Sequence, residues 1–178
     1  LKAAHFTTGF YRGGCEPLAA RIFVDGSPVD PVLLTQAADA LAAAKPLPKA
    51  AAELAAAACC FGAAGCKLAV VELPDAGLAA ALPQMPVCAV TAIGSDGVSR
   101  SVERSAALAA GVMREGTVCV TAPEQPKPAL SELIVAAGKA GCELVVPDPE
   151  DITFLDAEKV NSKVDYGGYP IPLTFLGR

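Results

Sequence analysis

The sequence predicts an α/β fold: a mostly parallel sheet flanked by helices, with a small β ribbon or sheet appended to it. Four segments, "KLAVVEL", "VCAVTAI", "TVCVTA" and "ELVVP", are continuously apolar, which is typical of strands covered by helices on both faces. After Pro149 the composition changes to short, polar, β-like pieces. The length of 178 residues predicts a single domain over residues 1–178, in which residues from about 149 to 178 form a polar β appendage.

The first half of the chain predicts one strand and two helices before the first apolar segment. "RIFVDG", residues 21–26, alternates polar and apolar residues and ends in an Asp-Gly turn, which indicates an exposed antiparallel strand. Asp30 is a candidate N-cap, and Pro31 suits the first position of a helix that runs to about residue 44. A second helix over residues 49–64 ends at Gly65, a candidate left-handed cap.

The second half alternates strands with helices over residues 102–113 and 128–140, so right-handed crossovers and a parallel sheet are expected. The segment "DYGGYP" places a Gly-Gly turn between two extended arms and predicts a hairpin. We expect this hairpin to form the appended ribbon or sheet, which the "RIFVDG" strand could join.

Charge and composition exclude two classes of partner. The net charge is −5 and no cluster of lysine or arginine offers a surface for phosphates, so no nucleic acid is expected. The longest apolar run, residues 50–64, contains Glu53 and is too short to cross a bilayer, and no signal peptide is visible. We therefore expect a soluble, cytoplasmic protein. The seven cysteines form no CxxC pair and predict buried, reduced thiols.

The candidate ligand-binding residues lie where parallel strands end. Glu72 ends an apolar strand, where it either holds a divalent cation or is a solvated acid. In "TAIGSDG", Thr91, Gly94, Ser95 and Asp96 either contact a phosphate through a glycine-rich turn or cap the following helix. The segment "TAPEQP" at the next strand end indicates ordinary loop chemistry. No GxxxxGK[ST] phosphate loop occurs in the sequence.

Taken together and in order, these segments resemble the central, ATP-binding domain of the folylpolyglutamate synthase/dihydrofolate synthase branch of the Mur ligase superfamily. "VVELPDAG" resembles the family's Val-Leu-Glu-Val-Gly-Leu-Gly-Gly, "TAIGSDG" its Thr-Asn-Ile-Gly-Leu-Asp-His, and "VTAPEQP" its Val-Thr-Gly-Pro-Gln-Gln-Pro. "LAAGVMREG" and "DYGGYPIPLTFLGR" are similar to two further family segments. The resemblance implies a phosphate loop before Leu1, a C-terminal domain after Arg178, and ATP and magnesium as cofactors.

The chain departs from the family at the metal-binding positions. The resemblance assigns Glu72 to a magnesium ion, but the family's histidine is Gly97 here and its carbamylated lysine is Ala109. The family's Ser-Pro-His is replaced by Gly13, Gly14 and Cys15. Because amide ligation needs metal ions to neutralise the phosphates, we assign no catalytic residue.

Three interpretations remain open. The first is a degenerate, non-catalytic domain of folylpolyglutamate synthase type, a pseudoenzyme that keeps the fold and weak nucleotide binding. The second is a fragment of an active ATP-dependent amide ligase that acts on folate and an amino acid. The third is an α/β binding or assembly module. The expected partner is a nucleotide or another small molecule, and the sequence does not indicate an oligomeric state.

Overall fold

In the computed structural model, the residues described are 6–44, 46–73, 76–83, 85–94, 101–157 and 162–173. The chain divides into two units, Leu1–Ala81 and Leu82–Arg178, and each is described by itself. The single domain over residues 1–178 stays a prediction.

The first unit contains a four-stranded mixed sheet and two helices. The strands are β1 (Thr8–Tyr11), β2 (Ile22–Val24), β3 (Ser27–Pro28) and β4 (Leu68–Val71), and the helices are α1 (Pro31–Ala42) and α2 (Lys49–Ala63). The order in the sheet is β3-β2-β1-β4. β2 pairs with β1 in antiparallel fashion, whereas β4 pairs with β1 in parallel, with Phe10 opposite Val70.

Local chemistry sets the boundaries of both helices in the first unit. The Asp30 carboxylate accepts a hydrogen bond from the Val32 N–H at 2.8 Å, and Pro31 opens α1, as the sequence predicts. Gly65 has φ +68, the left-handed conformation expected just after α2. The core lies between the helices and one face of the sheet; it contains Tyr11, Ile22, Val29, Ala37, Ala56, Ala57, Cys60 and Phe61.

The second unit contains a parallel sheet with the order β5-β6-β7. Its elements are β5 (Val87–Val90), α3 (Val102–Ala109), β6 (Val118–Thr121), α4 (Lys127–Ala140) and β7 (Glu143–Val145). α4 ends at Gly141, which has φ +65. The core between the helices and the sheet contains Val90, Ala106, Ala110, Met113, Cys119, Ala129, Leu133 and Ala137.

A separate three-stranded antiparallel sheet follows β7, which confirms the predicted β appendage. It consists of β8 (Ile152–Ala157), β9 (Ser162–Tyr166) and β10 (Tyr169–Leu173), in the order β10-β9-β8. The β9–β10 hairpin turns at Gly167 and Gly168, with φ +56 and +85, as the Gly-Gly pattern predicts. The idea that "RIFVDG" joins this sheet is wrong, because β2 from that segment pairs with β1 in the first unit.

The α/β class with a parallel sheet flanked by helices is confirmed, but the strands are distributed differently from the expectation. "KLAVVEL" becomes β4 and pairs with β1, whereas the three later apolar segments form their own sheet. Val70 is 48% exposed and Val87 is 61% exposed, so these strands are not covered on both faces along the described chain. The prediction that helices cover both faces of these strands is therefore wrong for β4 and β5, although their sequences are continuously apolar.

Among the described helices, none is long and apolar enough to cross a membrane.

Candidate functional site

The second unit has an open cavity at the carboxyl ends of β5 and β6, where ligands bind in parallel sheets. The cavity has a volume of about 280 Å³ and is lined by Ala89, Val90, Thr91, Ala92, Val120, Thr121 and Ala122. The strands end together because Val90 lies opposite Thr121 in the ladder. The lining is mostly apolar, and Thr91 and Thr121 are its polar residues.

Gln125 connects the two strand ends behind this cavity. Its amide nitrogen Nε2 donates to the Thr91 carbonyl at 2.8 Å and to the Thr121 hydroxyl at 2.9 Å. Its oxygen Oε1 accepts a hydrogen bond from the Ile93 N–H at 3.0 Å. The side chain is buried, and these partners satisfy the donors and the acceptor of a neutral amide. Gln125 therefore fixes the backbone of residues 91–93.

The predicted nucleotide-binding residues lie partly in this loop. Thr91 is exposed, and its carbonyl is held by Gln125. Gly94 is exposed, and a Cβ atom added there would meet nothing within 4 Å, so packing does not require glycine at this position. Ser95, Asp96 and Gly97 lie outside the described residues.

Glu72 belongs to the first unit, directly after β4. Its backbone N–H donates to the Tyr11 carbonyl at 2.8 Å, which extends the β1–β4 ladder, and its side chain is exposed. Along the described chain, no three His, Cys, Asp or Glu side chains lie close enough together to hold a metal ion. A single exposed carboxylate is a poor match for Mg²⁺ unless phosphates and waters supply the other ligands. The described residues alone therefore do not build a magnesium site.

Ala109, which the resemblance aligns with a metal-binding lysine, lies in α3. Ala109 is half-buried in α3 and packs against the core of the second unit. α3 begins at Ser101, whose hydroxyl accepts a hydrogen bond from the Arg104 N–H at 3.3 Å. The Glu103 backbone N–H and the Ser101 hydroxyl lower the pKa of the Glu103 carboxyl. The N-cap of α3 is Ser101, so the alternative expectation that a residue of "TAIGSDG" caps this helix is wrong.

Two thiols lie beneath the strand ends. Cys88 and Cys119 are opposite each other in the β5–β6 ladder, and Cys119 is fully buried. Burial, followed by a hydrogen bond with Cys88, raises the pKa of Cys119 to about 12. Burial also raises the pKa of Cys88. Because only a thiolate is a good nucleophile, these cysteines are suited to packing rather than to covalent catalysis.

In the first unit, the loop that contains Gly13, Gly14 and Cys15 is built around Arg21. This buried guanidinium donates to the Glu16 carbonyl at 2.9 Å and to the Tyr11 hydroxyl at 3.1 Å, and it pairs with Glu53 at 2.8 Å. Gly14 has φ +154, a conformation that favours glycine, whereas the Glu16 carboxylate that a Cβ atom would meet is the end of a flexible side chain. Through Glu53, Arg21 connects this loop to α2.

No protein-family model matches the chain, and no curated protein matches it by sequence. Solved structures do match. The apo form of folylpolyglutamate synthase (FPGS) from L. casei superposes with a TM-score of 0.78 at 16% identity, covering 99% of this chain and 48% of that one. The chain has the fold of folylpolyglutamate synthase. The resemblance expected from the sequence is thereby confirmed at the level of the fold.

Two ligand complexes show the same likeness. An FPGS complex with AMPPCP and folate gives a TM-score of 0.77 at 17% identity, covering 95% of this chain and 46% of that one. A bifunctional folylpolyglutamate synthase/dihydrofolate synthase with Mn, AMPPNP and L-glutamate bound gives 0.74 at 18% identity, covering 96% and 42%. The chain therefore spans less than half the length of each of these three structures.

Sequence reasoning missed the role of Gln125. The "TAPEQP" segment predicted ordinary loop chemistry, and a glutamine in a loop is usually exposed. One feature of the sequence could have indicated this role. Gln125 lies between the end of β6 and Pro126, the N-cap of α4, where a side chain can reach back to the neighbouring strand.

Proposed function

We propose that this chain is a non-catalytic, pseudoenzyme-like domain of the folylpolyglutamate synthase type, which binds a nucleotide weakly at the ends of β5 and β6. The fold supports the proposal, because structures that share it were solved with AMPPCP or AMPPNP bound. The open cavity beside Thr91 lies at the carboxyl ends of β5 and β6, where ligands bind in parallel sheets.

The observation that carries the loss of catalysis is the packing of Ala109 against the hydrophobic core. In the resembling family this position supplies a metal-binding lysine, whereas a methyl group has no donor for a metal ion. Glu72 is the one predicted metal ligand that the chain retains. Forming an acyl phosphate without fixed cations leaves the charge of the transferred phosphoryl group uncompensated, so we expect binding without turnover.

The test combines binding with turnover. The chain is titrated with ADP and Mg²⁺ by calorimetry, and it is separately incubated with ATP, Mg²⁺, folate and L-glutamate while ADP formation is followed by chromatography. We expect measurable ADP binding and no ADP formation above a no-protein blank. Absence of binding would refute the nucleotide site, whereas ADP formation that requires both folate and L-glutamate would refute the loss of catalysis.

A matched pair of variants locates the nucleotide. Ala92→Asp places a carboxylate on the wall of the cavity, and Ala107→Asp places one on the exposed side of α3. Repulsion between the new carboxylate and a phosphate is about 1 kcal/mol even in water, which is about a fivefold loss of affinity. We expect this loss with Ala92→Asp alone. Equal affinities for both variants would place the nucleotide elsewhere.

An active ATP-dependent amide ligase is the second candidate, and the retained Glu72 after β4 favours it. In that case Glu72 would contact a magnesium ion that accompanies the nucleotide phosphates. ADP formation would then fall strongly in Glu72→Gln. Turnover that is equal in the wild type and in Glu72→Gln would indicate a contaminating enzyme instead.

A further inference from the structure

The side chain of Gln125 has the hydrogen-bonding pattern of a residue in a parallel β ladder. In such a ladder, a residue donates its N–H to the carbonyl before its partner and accepts the N–H that follows its partner. The last backbone hydrogen bond of this kind between β5 and β6 runs from the Ala122 N–H to the Val90 carbonyl at 3.0 Å. β6 then turns away, and no backbone group from it pairs with residues 91–93 in the described structure.

Beyond this point the Gln125 side chain makes a counterpart of a ladder step, one residue out of phase with the backbone ladder, whose next pair would use the Ala92 carbonyl and the Gly94 N–H. Its Nε2 donates to the Thr91 carbonyl and its Oε1 accepts from the Ile93 N–H, so the side-chain amide occupies the place of a peptide group opposite Ala92. A glutamate offers no donor for the Thr91 carbonyl, and a leucine offers neither donor nor acceptor. Glutamine therefore has both the donor for the Thr91 carbonyl and the acceptor for the Ile93 N–H.

The Gln125 side chain is also held by its own segment, between β6 and α4. Nε2 donates a second hydrogen bond to the Thr121 hydroxyl of β6, and the next residue, Pro126, is the N-cap of α4. α4 is anchored because Ala129 and Leu133 are fully buried in the core. The extra ladder step thus connects the loop after β5 to a fixed helix.

We infer that Gln125 is a positioning residue for the candidate nucleotide site: it holds the backbone of residues 91–93, which follows β5 beside the cavity. The inference rests on the proposed nucleotide site. It also limits how that site works, because the Ile93 N–H is committed to Gln125 and is not a donor for phosphate. Gln125 does not need to touch the nucleotide to control its affinity.

The test measures local order and affinity in the same variants. Gln125→Leu removes both halves of the ladder step, and Gln125→Glu removes only the donor at nearly constant volume. Leu133→Val is the control, because it weakens the core beneath the same helix without changing the loop. Amide exchange of Ile93 is measured relative to that of Val120 within each protein, and the affinity for ADP with Mg²⁺ is measured by calorimetry.

We expect the Ile93/Val120 exchange ratio to rise at least tenfold, and ADP affinity to fall at least threefold, in both Gln125 variants and not in Leu133→Val. An unchanged exchange ratio would overturn the ladder step. A raised ratio with unchanged ADP affinity would overturn the positioning role. If the wild type binds no ADP, the nucleotide site fails, and the exchange ratio alone then decides whether Gln125 orders the loop.

Discussion

Removing the carboxylate of Glu53 is expected to destabilise the first unit far more than removing that of Glu16. Both glutamates pair with an arginine at similar distance, 2.8 Å for Glu53 with Arg21 and 3.0 Å for Glu16 with Arg12. Their surroundings differ: Arg21 is 3% exposed and Glu53 19%, whereas Arg12 and Glu16 are 43% and 51% exposed. The two pairs therefore differ mainly in burial, although Glu53 also lies 3.9 Å from the exposed Lys49.

Breaking a buried pair by deleting one partner costs about 3–5 kcal/mol, because the remaining charge is left without compensation. Arg21 would keep its hydrogen bonds to the Glu16 carbonyl and the Tyr11 hydroxyl, and its guanidinium lies 5.7 Å from the centre of the Tyr11 ring. We therefore expect a cost of about 2–3 kcal/mol for Glu53→Ala. Glu16→Ala should cost about 1 kcal/mol or less, since exposed pairs contribute little.

The assay is urea unfolding followed by circular dichroism at neutral pH, with both variants and the wild type at equal concentration. In the wild type, the hydrogen bond that Arg21 donates to Glu53 is the main cause that raises the pKa of Arg21. Without Glu53 the guanidinium still has an ordinary pKa far above neutral, so Arg21 stays charged in the variant and the loss cannot be relieved by deprotonation. Equal destabilisation by the two substitutions would refute the reasoning. So would a Glu53→Ala protein as stable as the wild type.

Two further consequences concern the cores. At Gly9 a Cβ atom would come within 2.5 Å of the Phe61 ring, whereas at Gly62 it would meet nothing within 4 Å. Gly9→Ala should therefore cost about 1–3 kcal/mol and Gly62→Ala, within α2, should gain about 0.5–1 kcal/mol; equal urea midpoints would contradict this. Burial raises the folded-state pKa of Cys119 to about 12, above the ordinary thiol value of about 8.5. The protonated thiol therefore makes its full contribution to stability below about pH 8.5, and this contribution declines as the pH rises toward 12. Stability should fall more steeply between pH 8 and pH 10.5 in the wild type than in Cys119→Ala, and parallel pH profiles would contradict the raised pKa.

Much of the fold follows from local signals in the sequence. Asp30 with Pro31 predicts the start of α1 because cap and proline act within one turn of the chain. The Gly-Gly pair at residues 167 and 168 predicts the β9–β10 hairpin, since the turn requires positive φ. The apolar runs predict the parallel pairing of β5, β6 and β7.

The remaining features depend on contacts between distant segments. Pairing of β4 with β1 joins residues about 60 positions apart, and no local pattern distinguishes it from pairing with a later strand. Two partners of Gln125, Ile93 and Thr91, lie 32 and 34 positions away, so its burial is visible only once β5 and β6 are in register. The segment "RIFVDG" is recognisable as an antiparallel strand, but the expectation that it is exposed is wrong, since Arg21 and Ile22 are buried, and its alternation does not say which sheet it joins.

The most direct test of the proposed function is a crystal structure of the chain with Mg²⁺ and a non-hydrolysable ATP analogue. We predict phosphate density against the backbone of residues 91–94, with the Ala109 methyl group still packed in the core and no metal ion held by protein side chains beside it. An ordered ion coordinated by the protein beside Gly97 and Ala109 would contradict the loss of catalysis.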